Sequence, residues 1–270
     1  MTTVVTLVVM WLLAQPAPAR SDAQARAADA HARAAKEAVN CTECHAKIVA
    51  ERYVHGPAGS GGCLDCHEIV AKGQGAPAVV LKAEGIEGCV SCHEEIKARV
   101  AEKHVHAPVA AGECTTCHDP HSAPYRYQLK AEGSAACTLC HEDIGEDLKR
   151  PVVHKPTANC VTCHDPHGAP FRAQTRRPLN ELCMDCHGAR GEAEEDTPRK
   201  AGAPMVNLDP DGKQGHPVTR HIVIGPRDPK SPDRPFTCAS CHNPHGAKGG
   251  KLFRFEATSL SELCVKCHNM

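Results

Sequence analysis

The sequence is poor in the side chains that ordinarily build a protein core. Among 270 residues there are one Trp, three Tyr and four Phe, 3% aromatic in all, against 21 Gly and 21 Pro. A conventional interior of packed aromatic and aliphatic side chains is therefore not expected. Charge of one sign is also lacking. Lys and Arg together number 31, Asp and Glu 32, and the net charge is −1 with His neutral. No basic excess exists to neutralise phosphates, which excludes a nucleic-acid binder. No apolar run reaches the roughly 20 residues that span a bilayer as a helix. Nor is any cysteine left over for a disulfide or a nucleophile, because all 18 fall in one repeated motif.

That motif is C-x-x-C-H, and it occurs nine times, using 2 × 9 = 18 cysteines. The copies are Cys41-Thr-Glu-Cys44-His45, Cys63-Leu-Asp-Cys66-His67, Cys89-Val-Ser-Cys92-His93 and Cys114-Thr-Thr-Cys117-His118. Then come Cys137-Thr-Leu-Cys140-His141, Cys160-Val-Thr-Cys163-His164 and Cys183-Met-Asp-Cys186-His187. The last two are Cys238-Ala-Ser-Cys241-His242 and Cys264-Val-Lys-Cys267-His268. Two residues between the cysteines let both sulfurs add to the vinyl groups on one edge of a haem, and the adjoining His then lies under the iron. Structural zinc gives no reason for a His directly after the second Cys in every copy. A thioredoxin-like redox pair would need one copy and a βαβ setting. The expectation is nine covalent haem c groups, with His45, His67, His93, His118, His141, His164, His187, His242 and His268 as proximal iron ligands. Nine porphyrins would then stand in for the missing core.

The chain is a repeat array. First cysteines fall at 41, 63, 89, 114, 137, 160, 183, 238 and 264, so the step is 22–26 residues apart from one of 55. Odd-numbered motifs lead into a short helical stretch and a His-x-Pro, as at His55-Gly-Pro57, His106-Ala-Pro108 and His154-Lys-Pro156. Motifs four, six and eight run on as Asp119-Pro-His121, Asp165-Pro-His167 and Asn243-Pro-His245, whereas motif two does not. The fold class expected is mostly α with extensive loop, short helices such as 94–104 and 142–149 wrapping a chain of stacked haems, with little or no β.

Boundaries follow from composition. Residues 4–14 are apolar and precede small residues in Pro16-Ala-Pro-Ala19, which reads as a signal peptide over 1–19, an uncleaved anchor being the alternative. An Ala-rich helix is expected over 20–40, with Ser21 or Asp22 as its cap. A seven-haem array occupies 41–187. Residues 188–236, rich in Gly, Pro and charge, form a long loop or a hinge, and a two-haem unit fills 237–270.

Nineteen histidines less nine proximal ones leave ten, against nine irons that need a second axial ligand. Pattern singles out His55, His106, His121, His154, His167, His216 and His245 as distal ligands. Two more are to come from His31, His104 and His221. Two strong axial ligands leave no iron position for substrate, which argues for an electron carrier rather than an enzyme.

Paired motifs with C-x-x-C-H-x-P-H-G, carried best by Cys114 to His141, Cys160 to His187 and Cys238 to His268, resemble the doubled-CXXCH multihaem c-type cytochromes. More loosely the chain is similar to periplasmic multihaem carriers, including the decahaem components of outer-membrane electron conduits. The resemblance implies electron transport in an anaerobic respiratory or extracellular chain. It also implies an exported protein, periplasmic or outer-membrane-associated or extracellular. Its partners would be redox proteins, among them a quinol-linked or periplasmic donor and a terminal or outer-membrane acceptor, with an outer-membrane porin as a further candidate. Two other readings compete: a subunit of an extracellular cytochrome filament, and a multihaem oxidoreductase with one open haem. Neither a C-x-x-C-K motif nor a supply of tyrosines beyond Tyr53, Tyr125 and Tyr127 favours the enzyme.

Overall fold

A computed structural model describes residues 40–70, 78–188, 216–218 and 221–269, together with the isolated helical positions 22, 26, 29, 30 and 33. The expected signal peptide, most of the Ala-rich helix and His31 lie outside the described residues, as does most of 188–236.

Each C-x-x-C-H folds as a single helical turn. The His backbone N–H donates to the first Cys carbonyl, as in His45 to Cys41 at 2.9 Å, His118 to Cys114 at 3.1 Å and His268 to Cys264 at 2.9 Å. Residues four apart share a face in such a turn, so the first sulfur and the imidazole leave the backbone on the same side. Short helices follow motifs three and five at Glu94–Arg99 and Glu142–Asp147, with Glu94, Glu95, Glu142 and Asp143 in their first turns, where the helix dipole favours them. Both are shorter than the expected 94–104 and 142–149. The chain leaves the first helix at Val100 and is already extended at His104.

The expectation of little or no β needs correction. Among the described residues, eight short strands make four antiparallel pairs. They are β1 (Tyr53–Val54), β2 (His67–Val70), β3 (Ala78–Leu81), β4 (His104–Val105), β5 (Ser122–Ala123), β6 (Val152–Val153), β7 (Gly168–Ala169) and β8 (Gly246–Ala247). β2 pairs with β3 as a local ladder. The other three pairs, β1 with β5, β4 with β7 and β6 with β8, join distant segments. Two residues are too few to show an alternation of apolar and polar side chains, so sequence periodicity cannot reveal them.

These three ladders have one construction. A residue beside the His-x-Pro pairs with the residue following a Pro-His, and the pairing needs very close backbones. A Cβ on Gly168 would fall on the Arg99 carbonyl oxygen, and one on Gly246 on that of Asp147. At the third ladder the place belongs to Ser122, whose hydroxyl donates to the Ile48 carbonyl at 2.7 Å. Among the described residues, the buried apolar side chains are Val90, Ala123, Ala169, Phe236, Ala247, Ala257 and Leu263, mostly alanine, and no large side chain is fully buried. Tyr127 and Leu139 are more than 70% exposed. Protein atoms alone do not make a core here.

Candidate haem-binding sites

Eight motif histidines each face a second imidazole across a gap. Centroid separations are 6.0 Å for His93 and His55, 6.0 Å for His67 and His121, 5.8 Å for His141 and His106, and 6.2 Å for His118 and His167. They are 5.9 Å for His187 and His154, 6.3 Å for His164 and His245, 6.0 Å for His242 and His216, and 6.1 Å for His268 and His221. The first seven pairs are within 26° of parallel, and the last is crossed at 79°. Rings in van der Waals contact would be much closer. Two metal–imidazole bonds of about 2 Å, plus roughly 1.1 Å from each ring nitrogen to its ring centre, total about 6 Å. The gap has the width of one axially ligated iron.

Hydrogen bonds prepare the rings for that role. Nδ1 of His118, His164 and His242 meets the carbonyl nine residues on, at Tyr127 (2.7 Å), Ala173 (2.8 Å) and Lys251 (2.7 Å). His154 Nδ1 meets the Pro244 carbonyl at 3.1 Å and His221 Nδ1 that of Ile222 at 2.9 Å. An Nδ1–H bonded to a carbonyl leaves the Nε2 lone pair for a metal. Burial, the largest cause, holds His106, His154, His167, His216, His242 and His245 below the ordinary imidazole value, which favours the neutral ligand form. The carbonyls are aimed by left-handed residues, Tyr127 (φ 60°) and Gln128 (φ 53°), Ala173 (φ 56°) and Gln174 (φ 51°). Such backbone costs about 1–2 kcal/mol per non-glycine residue.

The partners cross the repeat in a regular way. Motifs three, five and seven face the His that lies upstream of the motif before them: His55, His106 and His154. Motifs two, four and six face the Pro-His that follows the motif two places downstream: His121, His167 and His245. The cross-chain ladders tie these two kinds of His together, with backbone bonds from His55 N to His121 O (2.9 Å), His106 N to His167 O (3.4 Å) and His154 N to His245 O (3.1 Å). The departure at motif two is then explained. A Pro-His there would serve a motif two places upstream, and residues 1–40 contain none. At the other end, motifs eight and nine face His216 and His221. His104 lies in β4 opposite Ala169 and faces no motif imidazole among the described ring contacts. His45 belongs to motif one, and His31, one of the three remaining candidate distal ligands, lies outside the described residues.

Sulfurs of neighbouring motifs come within hydrogen-bonding range at Cys41 and Cys63, Cys89 and Cys114, Cys137 and Cys160, and Cys183 and Cys238. Each of these pairs joins two first cysteines. Cys66 and Cys89, Cys117 and Cys140, Cys163 and Cys186, and Cys241 and Cys267 lie near enough to influence one another electrostatically. Burial, then Cys114, pushes the free Cys89 thiol up to about 11, and burial, then Cys160, does the same for Cys137. That is opposite to a thiol activated as a nucleophile. The Cys183–Cys238 contact crosses the long step: the Cys238 N–H donates to Asn180 Oδ1 at 2.8 Å, and Asn180 Nδ2 donates to the Val223 carbonyl at 2.9 Å.

One matched family decides the class. The doubled CXXCH motif matches residues 55–98, 106–146, 154–192 and 233–270, more than half of the chain. The chain belongs to the doubled-CXXCH multihaem c-type cytochromes. No curated protein matches it. Three of the four matched segments begin within a residue of His55, His106 and His154, so the cytochrome unit opens on the His that faces its second motif. Covalently bound haem c and electron transport go with that family.

Sequence reasoning missed one further residue of the cytochrome. Thirteen residues after the second Cys of motifs four, six and eight (117 to 130, 163 to 176, 241 to 254) stands a cation. Backbone N–H groups of Lys130, Arg176 and Arg254 donate to the carbonyls of Cys117, Cys163 and Cys241 at 2.9–3.0 Å. Their side chains donate to the carbonyls of Thr115 (2.5 Å), Val161 (2.8 Å) and Ala239 (2.9 Å), clamping the turn. The constant spacing was a usable signal.

Proposed function

We propose that the chain carries electrons along nine covalently bound haem c groups arranged in sequence order. The observation that carries the reading is the set of eight imidazole pairs with centroids 5.8–6.3 Å apart, each containing a motif His. Haem supplies a one-electron Fe(III)/Fe(II) couple when bound. The cysteines fix each group to the backbone. His55, His106, His121, His154, His167, His216, His221 and His245 are the distal ligands, opposite their motif partners. With an imidazole on each side, a bound haem would offer substrate no open coordination position, which supports a carrier over a reductase. The contact of Cys183 with Cys238 supports one continuous series across 188–236 rather than two separated groups.

Export through the cytoplasmic membrane, a periplasmic or outer-surface location and redox-protein partners belong to the same reading, supported by the apolar stretch 4–14 and by the attachment chemistry. The test combines intact mass with electron paramagnetic resonance of the ferric protein. Nine haems per chain and low-spin signals are expected. Fewer haems, or a high-spin signal from one site in the native protein, would replace the carrier with a smaller array or an enzyme.

A further inference from the structure

The three Pro-His segments are built alike but differ in charge. Two residues before each distal His, a side-chain oxygen accepts that residue's backbone N–H: Asp119 Oδ1 from His121 (2.9 Å), Asp165 Oδ1 from His167 (3.2 Å) and Asn243 Oδ1 from His245 (3.0 Å). The same carboxylate oxygens stand 3.4 Å from His121 Nδ1 and 3.7 Å from His167 Nδ1. The chain opposite presents Ile48, Arg99 and Asp147, identified as equivalents because their carbonyls meet Ser122, Gly168 and Gly246.

The pairs therefore carry different charge. At the position equivalent to Arg99 and Asp147 stands apolar Ile48, and Asp119 has no Lys or Arg partner among the described residues. Asp165, whose side chain is 9% exposed, is held by Arg99 Nε at 3.3 Å. Asn243 is neutral and donates to Asp147 at 2.7 Å, and Asp147 is paired with Arg150 at 2.7 Å. Site two has a second peculiarity. His67 Nδ1 is buried without a hydrogen-bond partner, whereas His118 and His164 each have a carbonyl. Among the described residues, Asp119 is the group that stands at a ring nitrogen of site two.

We propose that the pairs Ile48/Asp119, Arg99/Asp165 and Asp147/Asn243 grade the reduction potentials of sites two, four and six by setting how electron-rich His121, His167 and His245 are. The inference rests on the ligand reading above. A carboxylate at Nδ1 makes the imidazole a stronger donor and stabilises the ferric state. A guanidinium bound to that carboxylate withdraws the effect, and an amide supplies little of it. The step affected adds one electron to one ferric iron, giving ferrous iron. No bond forms or breaks, and each carboxylate keeps its charge.

The test is a potentiometric titration of holoprotein with dithionite, followed in the haem absorption bands. With nine motifs, about one-ninth of the amplitude belongs to each site. Asp119→Asn should move that fraction to higher potential, and Arg99→Gln should move a different ninth to lower potential. Asn243→Asp should also move one ninth downward. Superimposable curves for Asp119→Asn and Arg99→Gln, or shifts of the same sign, overturn the proposal. His121→Ala separates the two layers of argument. A new high-spin ferric signal with no shift in Asp119→Asn sinks the grading and leaves the ligand reading. Absence of that signal sinks the ligand reading itself. Haem content by mass confirms that each variant is loaded.

Discussion

Replacing His245 with alanine should open site six, not site eight, although His245 is three residues from His242 and more than eighty from His164. The structure sets the size of the effect. His245 faces His164 at 6.3 Å, while His242 faces His216 at 6.0 Å. The ladder around His245 is made by backbone: its carbonyl accepts from His154 N at 3.1 Å, and β6 pairs with β8 without using the imidazole. Removing the side chain should therefore cost one axial ligand and leave the strap in place. One iron in nine, about 11% of the total, should become high-spin in the ferric protein, and added imidazole should restore it. A double-mutant cycle identifies the iron. His164→Ala combined with His245→Ala removes both ligands of one site and should still cost about 11% of the low-spin signal. His242→Ala combined with His245→Ala touches two sites and should cost about 22%. The reverse pattern would show that the Pro-His serves its own motif, and the cross-unit pairing would fall.

Three other outcomes follow from the packing. Gly246→Ala drives a methyl onto the Asp147 carbonyl and should destabilise the holoprotein by about 1–3 kcal/mol in thermal unfolding, the usual cost of overpacking. Gly145→Ala, whose Cβ would meet Thr138 at an ordinary 3.6 Å inside a helix, should be neutral or stabilising, and equal melting temperatures for the two variants would refute the close approach. Protein made without haem attachment should show no cooperative unfolding transition by circular dichroism, because so few apolar side chains are buried. In strong acid, below the ordinary aspartate range, the C-terminal segment carrying His221 should loosen. The Asp228 carboxyl is desolvated, but the Lys230 N–H, Ser240 and Arg254 outweigh that and hold it below its ordinary 3.8. A depressed carboxyl stabilises the fold above its ordinary value and loses that contribution as pH falls through the lowered one. Asp228→Asn should mimic the acid form at neutral pH, raising the high-spin fraction at site nine, and an unchanged spin state in both experiments would refute the link.

What could be read in the sequence was whatever is written within a few residues. C-x-x-C-H, His-x-Pro and Pro-His are local, and the turns they imply put sulfur and imidazole on one side of the chain. What could not be read is encoded across units. Nothing near motif six says that its facing imidazole is His245, because the two segments meet through two-residue ladders with no periodicity of their own. His104 and His221 were equivalent as isolated histidines. The difference is that His104 sits in a strand whose register is taken up with Ala169, whereas His221 lies on a segment held to motif eight by Asp228 and Arg254 at 3.1 Å. Helix ends were misjudged for the same reason, since the chain after Val100 is recruited by a strand from the next unit.

Donation of a ligand from the following unit also gives the array an order in time. As the chain is made from its N-terminus, sites three, five, seven and nine would find their facing His already behind them. Sites two, four and six must wait. On this pairing site two closes when His121 arrives, three residues after His118 has created the next open site, and site four closes with His167 just after His164. The growing protein thus passes a single unfinished coordination position from unit to unit. His216 comes before its motif rather than after it, so site eight does not wait on a later unit.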